Sequence, residues 1–405
     1  MMKAILRTRA EEEEVDKLTS SPITSKDLSF RLVKVVTFLV IFVSGMVLGL
    51  AATAHVTRYF TSSHHELFFS PIHVAQVSHE EDCLSITKYK KEEDCLNLKS
   101  FINPGHLTHS MTDDELLWRA SLVPKKEVYP YKRVPKVAFM FLTRGPLPLS
   151  PLWDRFFQGH ENLFSVYVHA LPGYELNVSR SSAFYGRQIP SQDVQWGSVT
   201  LSDGERRLLA NALLDFSNER FVLLSESCIP VYDFLTVYKY LINSAYSFVD
   251  SYDDPSRYGR GRYSRKMLPD IKLFQWRKGS QWFELNRTLA VNIVADDKYY
   301  SLFRKYCKPS CYPDEHYLPT FLNMFYGSMN ANRSVTWVDW SRGGPHPATF
   351  GKEDITEGFI QSIKNNGTTC SYNSEQTLVC YLFARKFAPS ALEPLLNLTS
   401  TVLRF

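Results

Sequence analysis

The sequence predicts an α/β fold: a largely parallel, doubly wound sheet behind an N-terminal transmembrane helix and a stem. Three observations predict it. From about residue 134, short runs rich in Val, Phe and Tyr alternate with amphipathic stretches, and strands alternating with helices imply a parallel sheet. Before them stands an uncharged apolar run of 20 residues, Val35 to Ala54, the ~20 residues that a helix needs to cross a bilayer. Between the two lies a stretch of mixed character, with charge runs at Glu80 to Asp82 and Lys90 to Asp94.

Arg31 and Lys34 sit just before the apolar run, and Arg7, Arg9, Lys17 and Lys26 lie upstream. That basic flank favours a cytosolic N-terminus, and the acidic run Glu11 to Glu14 weighs little against it. A buried core helix and a cleaved leader are the rival readings, the second because Ala52-Thr53-Ala54 has the small-x-small form of a cleavage site. The length of the apolar stretch and of its polar leader favours an uncleaved anchor. The expected division is a disordered cytosolic tail at 1–31, a transmembrane signal anchor at 32–56, a lumenal stem at 57–130 and a folded body at 131–405.

Five N-x-[ST] sequons, at Asn177, Asn286, Asn332, Asn366 and Asn397, suit a lumenal body. Asn286 falls in an apolar, strand-like run and is the least accessible by pattern. Seven cysteines in an oxidising compartment should pair where geometry permits. The simplest pairs are local, Cys83 with Cys95, Cys307 with Cys311 and Cys370 with Cys380, leaving Cys228 as a buried thiol in the apolar run Phe221 to Pro230. Zinc held by Cys307, Cys311 and His316 is the competing account and lacks a fourth ligand. Net charge is +4 on 405 residues, with no long basic run in the body, which excludes nucleic acid as a partner.

Thr112-Asp-Asp-Glu115 before Leu116-Leu117-Trp118 has the form of a capping box and predicts a short helix packed on the body. Val137 to Thr143 reads as a buried strand, Pro151 to Phe157 as a helix and Phe164 to His169 as a second strand. Ser202-Asp-Gly-Glu205 is expected to cap a helix running to about Asp215, and Phe221 to Leu224 is a third strand. Ligands in such sheets bind at the carboxyl ends of strands, near a switch in strand order. Thr143, Arg144, His169 and Ser225 to Ser227 fall at such ends. The region 246–300 is rich in arginine, aspartate and tyrosine, and its Arg257, Arg260, Arg262 and Tyr263, with Trp282 beyond, are candidates for contact with a hydroxyl-rich acceptor. Lys278 to Arg287 is expected to form a strand entered by a tight turn. The chain end, around Tyr381 to Phe387, is expected to be helical.

Chemistry concentrates around Cys307-Lys-Pro-Ser-Cys311-Tyr-Pro313-Asp314-Glu315-His316. A tight turn leads into a helix start, where Glu315 benefits from the positive end of the helix. Pro319 lies four residues on and removes one backbone donor, so a local bend is expected there. Glu315 reads either as a general base or as an acidic residue that only stabilises the helix N-terminus. The sequence has adjacent pairs Asp113-Asp114, Asp253-Asp254 and Asp296-Asp297 but no Asp-x-Asp.

The set Lys278-Gly-Ser-Gln-Trp-Phe283, Pro313-Asp-Glu-His316 and Leu382-Phe-Ala-Arg-Lys-Phe387, in that order behind a signal anchor, resembles the core-2/I-branching β-1,6-N-acetylglucosaminyltransferase family, and most of all its plant branch. The resemblance covers about residues 110–400. It implies a GT-A-like, Rossmann-type glycosyltransferase domain in the Golgi lumen, an inverting reaction with a UDP-sugar donor and a glycan or glycoprotein acceptor, and no metal or other cofactor. Glu315 matches the family's general base. Lys386, with Arg385 beside it, matches the residue that binds the diphosphate. A further phosphate-binding arginine of the family would fall at Pro345 or His346, so Arg342 is the nearest candidate. The family's nucleotide-contacting aspartate after the second strand is absent, since that strand ends Val168-His169-Ala170. A non-catalytic glycan-binding relative is the alternative. A glycoside hydrolase would need a second carboxylate ~5–10 Å from Glu315, for which Asp250, Glu226 and Asp339 are the candidates.

Overall fold

The computed structural model describes residues 39, 42–46, 98–102, 107–126, 128–308, 311–365 and 367–405. Backbone contacts separate the chain into residues 1–91 and residues 92–405. In the first unit Leu39 and residues 42–46 are helical, with exposed apolar side chains. The rest of the predicted apolar span, and Cys83 and Cys95, lie outside the described residues. Among the described residues no helix is long and apolar enough to cross a membrane.

A short helix, Leu98–Ile102, opens the second unit, and helix α1, Asp113–Ala120, follows. Its predicted capping box is present. Thr112 Oγ1 accepts from Glu115 N–H at 3.3 Å, and Glu115 Oε2 accepts from Thr112 N–H at 2.7 Å, so two donors that the helix itself leaves unpaired are satisfied. Leu116 and Ala120 are buried in the interface with a longer helix over Val199–Leu213.

Strand β1 is Lys136–Leu142 and forms the centre of the main sheet. It is followed by α2, Ser150–Phe157, then β2, Phe164–His169, then α3, Val199–Leu213, then β3, Asn218–Ser225. β2 and β3 flank β1 in parallel, with Phe139 opposite both Val166 and Val222. The period-2 geometry of a strand sends Ala138, Met140 and Leu142 into one core and Val137, Phe139 and Phe141 into the other. The fourth strand, β5 at Glu284–Asn286, runs antiparallel to β3. The sheet is therefore mixed, in order β2-β1-β3-β5. The expected strand over 278–287 shortens to three residues because Asn286 Oδ1 caps the next helix, α5 at Arg287–Val294, accepting from Leu289 N–H at 2.9 Å.

Helix α3 begins earlier than expected. Ser198 is its cap, with Oγ accepting from Thr200 N–H at 3.3 Å, while Ser202 lies inside the helix and is buried. Gly204 sits where a Cβ would come within 2.9 Å of Val194 Cγ1 and 3.5 Å of Leu142 Cδ1. The missing side chain lets the start of α3 lie against the end of β1.

A second, three-stranded sheet is built from β4, Ile229–Pro230, β6, Thr336–Val338, and β9, Phe383–Arg385, in order β4-β9-β6. This corrects the helical expectation for the chain end. The Leu382-Phe-Ala run is buried on both sides, and a fully buried short apolar run suits a strand as well as a helix. Between β4 and β6 lie α4, Phe234–Ile242, α6, Lys298–Tyr306, and α7, Pro313–Phe325. Disulfides join Cys307 to Cys311 and Cys370 to Cys380, and Cys228 is a buried free thiol. The first bridge removes the thiols that the zinc reading needed.

Phe139 is the hub of the second core. Its ring meets Trp153, Phe156, Phe157, Phe234 and Phe383 at centroid distances from 5.0 to 6.3 Å, joining the main sheet to β9. Phe139→Ala is expected to lower unfolding stability by about 3–5 kcal/mol, read as a shift in the urea denaturation midpoint.

Candidate active site

A cavity of about 750 Å³ opens at the carboxyl ends of β1 and β3. The strand order turns there, β2 lying on one side of β1 and β3 on the other, and such a crevice is where open α/β sheets bind ligands. Thr143 and Arg144 after β1, Ser225 and Glu226 after β3, and Arg385 and Lys386 at the end of β9 line it. Asp314 and Glu315, in the first turn of α7, line it too, with Asp250 and Lys278.

The turn into α7 is tightly specified. The Cys307–Cys311 bridge precedes it, Tyr312 takes a left-handed backbone conformation with φ 52°, and Pro313 occupies the first helical turn, where its missing N–H costs no helical bond. Pro319 has no N–H for the carbonyl of Glu315, and that carbonyl instead accepts from Gly279 N–H at 2.8 Å. Gly279 is itself required. A Cβ there would overlap the carbonyl oxygen of Asp250 and come within 2.8 Å of Pro319 Cγ.

The Glu315 carboxylate points at cations. Arg262 Nη1 donates to its Oε2 at 2.7 Å, and Lys278 Nζ lies 3.9 Å away. Arg262 also stacks 4.1 Å over the ring of Tyr312, an arrangement that fixes a guanidinium by its face and its edge together. Tyr312 in turn meets Trp196, and Trp196 meets His346, each at 5.4 Å between ring centroids. This belt ties the loop before α3 and the loop after β6 to the carboxylate.

Asp314 is buried, and its Oδ1 has no hydrogen-bond partner. Burial first, and the neighbouring Glu315 charge second, push its carboxyl up to about 7. Glu205 on α3, wholly buried and near enough to feel Asp314, is also held well above the usual carboxylate range by burial, and Gln281 donates to it at 2.9 Å. His316 faces away from the cavity. Its Nδ1 bonds to the Arg277 carbonyl at 2.8 Å, its ring stacks on Trp276, and burial pushes it down to about 4.

The cations across the cavity are differently placed. Among the described residues none of Arg144, Arg385 and Lys386 makes an ion pair. Arg385 lies 4.1 Å over the ring of Trp282, and its Nε is buried without a partner. Burial lowers its hold on the proton. A guanidinium stays charged at any working pH; Glu226 and the Cys228 sulfur favour that charge from nearby, and an anion in the cavity would be a further partner. Backbone bonds fix the pair, Phe350 N–H to the Lys386 carbonyl and Phe387 N–H to the Ser227 carbonyl, both at 2.9 Å.

Several candidates from the sequence stand elsewhere. Arg342 is exposed on a glycine turn, and Pro345, His346 and Pro347 of that loop line the cavity instead. His169 is buried beneath the cavity floor. Its Nε2 faces Gln192 N–H and Arg207 Nη1 at 3.3 and 3.2 Å, and burial, aided by Arg207, pushes it down to about 4. Arg260 pairs with Asp253 and Arg257 with the Tyr258 hydroxyl, both on the surface. Tyr263 turns inward to donate to the Ile271 carbonyl, so of that cluster Arg262 alone reaches Glu315. Trp282 lines the cavity through a mostly buried ring that Arg385 covers. Asp339 is engaged by Ser341 N–H outside the cavity. Asn177, Asn332 and Asn397 are exposed, Asn286 is half-buried, and Asn366 lies outside the described residues. Sequence reasoning gave no role to Trp196, whose only signal was an aromatic residue in an otherwise polar loop.

A family model described as Core-2/I-Branching enzyme matches residues 137–364. Glycosyltransferase BC10 from Oryza sativa subsp. japonica is 38% identical over 310 residues, which cover 65% of this chain and 76% of that protein. The family match includes Glu315 and its helix and ends before Arg385 and Lys386.

Asp314 makes stability depend on pH with a definite sign. Its folded-state value, about 7, lies above the unfolded 3.8, so the folded chain holds the extra proton and its stability falls as pH rises from about 4 through 7. His169 and His316, depressed to about 4, act oppositely below about 6.5. Comparison with Asp314→Asn isolates the first effect. The variant's melting temperature should gain on the wild type steadily between pH 5 and pH 8 as measured by thermal denaturation.

Proposed function

Because the chain belongs to the Core-2/I-Branching enzyme family and is a glycosyltransferase, we propose that it moves N-acetylglucosamine from its UDP ester to a glycan hydroxyl, with inversion and without a metal ion. One observation carries this reading. Glu315, held by Arg262, and the unpaired pair Arg385 and Lys386 line one cavity at the strand ends.

The chemistry follows from that division. An acceptor hydroxyl attacks the anomeric carbon from the Glu315 side and gives its proton to that carboxylate as the new bond forms. The bond from the anomeric carbon to the diphosphate oxygen breaks on the opposite side, and attack opposite departure inverts the centre. Negative charge grows on the leaving diphosphate, and fixed cations stabilise such charge most where water is excluded. Lys386 and Arg385 take that role here, with Arg144 beside them. Their presence supports a reaction in which protein cations replace a metal. Thr143, Leu171 and Trp196, at the end nearest β1 and β2, are assigned to the nucleoside. Its recognition runs without the family's aspartate, since Ala170 follows β2.

Residence in the Golgi membrane as a single-pass type II protein, with residues 57–405 in the lumen, belongs to the same proposal. The uncharged run Val35 to Ala54, its basic flank and five sequons support it.

UDP release by the purified full-length chain, over a panel of UDP-sugars, tests the donor and the base together. One donor should be turned over, EDTA should leave the rate unchanged, and Glu315→Gln should lower kcat by about 10²–10⁴-fold. Lys386→Ala should cost about 10²–10³-fold. Complete loss in EDTA, restored by a divalent cation, would sink the metal-free reading.

Arg262→Gln removes the group that aims the carboxylate and leaves the donor-side cations untouched. It is expected to lower kcat by about 10²-fold with little change in donor KM, as initial-rate kinetics at saturating acceptor would show.

A further inference from the structure

Arg385 differs from other arginines of the body. Arg207 and Arg220, both buried, meet the carboxylates of Asp113 and Glu284. Arg385 makes no ion pair among the described residues. A ring stands where a carboxylate would. The guanidinium carbon lies 4.1 Å from the centre of the Trp282 indole, and Nε is buried without a hydrogen-bond partner.

Both members of this stack are seated by backbone bonds. Trp282 is 6% exposed. Its N–H donates to Ser280 Oγ at 3.2 Å, and its carbonyl accepts from Ser334 Oγ at 2.9 Å. The next carbonyl, that of Phe283, accepts from Leu223 N–H of β3 at 3.0 Å. Arg385 ends β9 in register with Val338 of β6, and Ala384 before it pairs with Ile229 of β4. A hairpin of β7, Cys370–Tyr372, and β8, Glu375–Thr377, precedes that strand and is closed by the Cys370–Cys380 bridge. The stack therefore joins two walls of the cavity. One is the stretch whose Gly279 N–H bonds the Glu315 carbonyl, and the other is the strand end that leads into Lys386.

The choice of a ring has a chemical consequence. A carboxylate at this place would take up guanidinium donors and cancel the charge. An indole face attracts the cation through its quadrupole and uses none of its five N–H donors. Glu226 favours the charge from nearby but lies beyond ion-pair distance. Arg385 thus keeps its charge for an anion in the cavity. A long side chain already held in place also loses little freedom when that anion binds.

We propose that Trp282 is a positioning residue of the donor end: its indole face holds the Arg385 guanidinium in the orientation that binds the diphosphate. The proposal rests on the reading of Arg385 as a diphosphate ligand. Trp282 acts through Arg385, so the two residues must be energetically coupled toward a phosphate-bearing ligand.

Equilibrium binding of UDP to the full-length protein in detergent, by titration calorimetry, tests the coupling. The variants are Trp282→Leu, Trp282→Phe, Arg385→Gln and the double variant Trp282→Leu with Arg385→Gln, with a melting temperature recorded for each. Trp282→Leu should weaken UDP about tenfold. Trp282→Phe keeps a ring face and should recover most of that loss. In the Arg385→Gln background, Trp282→Leu should cost UDP nothing further. Equal weakening in both backgrounds would assign Trp282 to packing or to direct contact and overturn the proposal. So would UDP binding that Arg385→Gln weakens and Trp282→Leu leaves unchanged. UDP binding indifferent to Arg385→Gln would remove the diphosphate reading of that arginine, and the proposal with it. Should the leucine variant fail to fold, Trp282→Met carries the same comparison, since its flexible side chain fills space without a ring.

Discussion

The geometry of the cavity depends on one missing hydrogen-bond donor. In a regular helix the N–H of residue 319 would bond the carbonyl of Glu315. Proline has none, so the carbonyl seeks another donor and takes Gly279 N–H at 2.8 Å. A buried carbonyl left without a partner would be costly, and this exchange binds two distant segments at the base of the catalytic helix. Others follow from it. Tyr252 and Lys278 exchange backbone bonds at 2.9 Å, and Ser251 Oγ donates to the Pro319 carbonyl at 3.0 Å. Three stretches, 250–252, 278–282 and the start of α7, are thereby set in register. The side chains that line the acidic half of the cavity all leave from them.

The two halves of the cavity differ in how their charges are satisfied. Arginines away from the strand ends have partners: Arg207 with Asp113, Arg220 with Glu284, Arg260 with Asp253 and Arg262 with Glu315. Arg144, Arg385 and Lys386 make no ion pair among the described residues. A charge taken from water without a partner is unfavourable; of the three, Arg385 has a buried, unpartnered Nε, whereas Arg144 is exposed. Such an arrangement suits an anionic ligand that supplies the missing charge. The cavity's acids are Glu226, beside Arg385, and Asp250, Asp314 and Glu315, where a neutral, hydroxyl-bearing ligand would meet acceptors.

Much of this was legible in the chain because local patterns fix local structure. β1, β2, β3, the α1 capping box and the turn before α7 each follow from a few adjacent residues, and the two local disulfides follow from short spacing. What failed depends on distant neighbours. The run Leu382 to Phe387 reads as a helix until β4 and β6 are known to flank it. The helix start at Ser198 was hidden by an equally good cap pattern at Ser202. His169 stands at a strand end, as a ligand residue should, yet Gly204 lets α3 close over it. Arg257, Arg260 and Tyr263 share a composition with Arg262, and only the fold separates the one that meets Glu315. The Pro319 donor gap was readable, but its consequence was not a bend that sequence could place. It was a bond from the Glu315 carbonyl to Gly279, far upstream in the chain.

Asp314 completes the argument about the base. It is adjacent to Glu315 in sequence, and two ionised carboxylates side by side in a helix's first turn would share whatever cations lie near. Burial holds Asp314 up to about 7, and Glu205 behind it is held higher than usual for the same reason. Below about pH 7 Asp314 is largely protonated. Arg262 then serves Glu315, the partly exposed member of the group, while Lys278 stands 3.9 Å from both Glu315 and Asp254. Burial that keeps Asp314 protonated thus leaves Arg262 to Glu315 and fixes the direction of that carboxylate at the cavity wall.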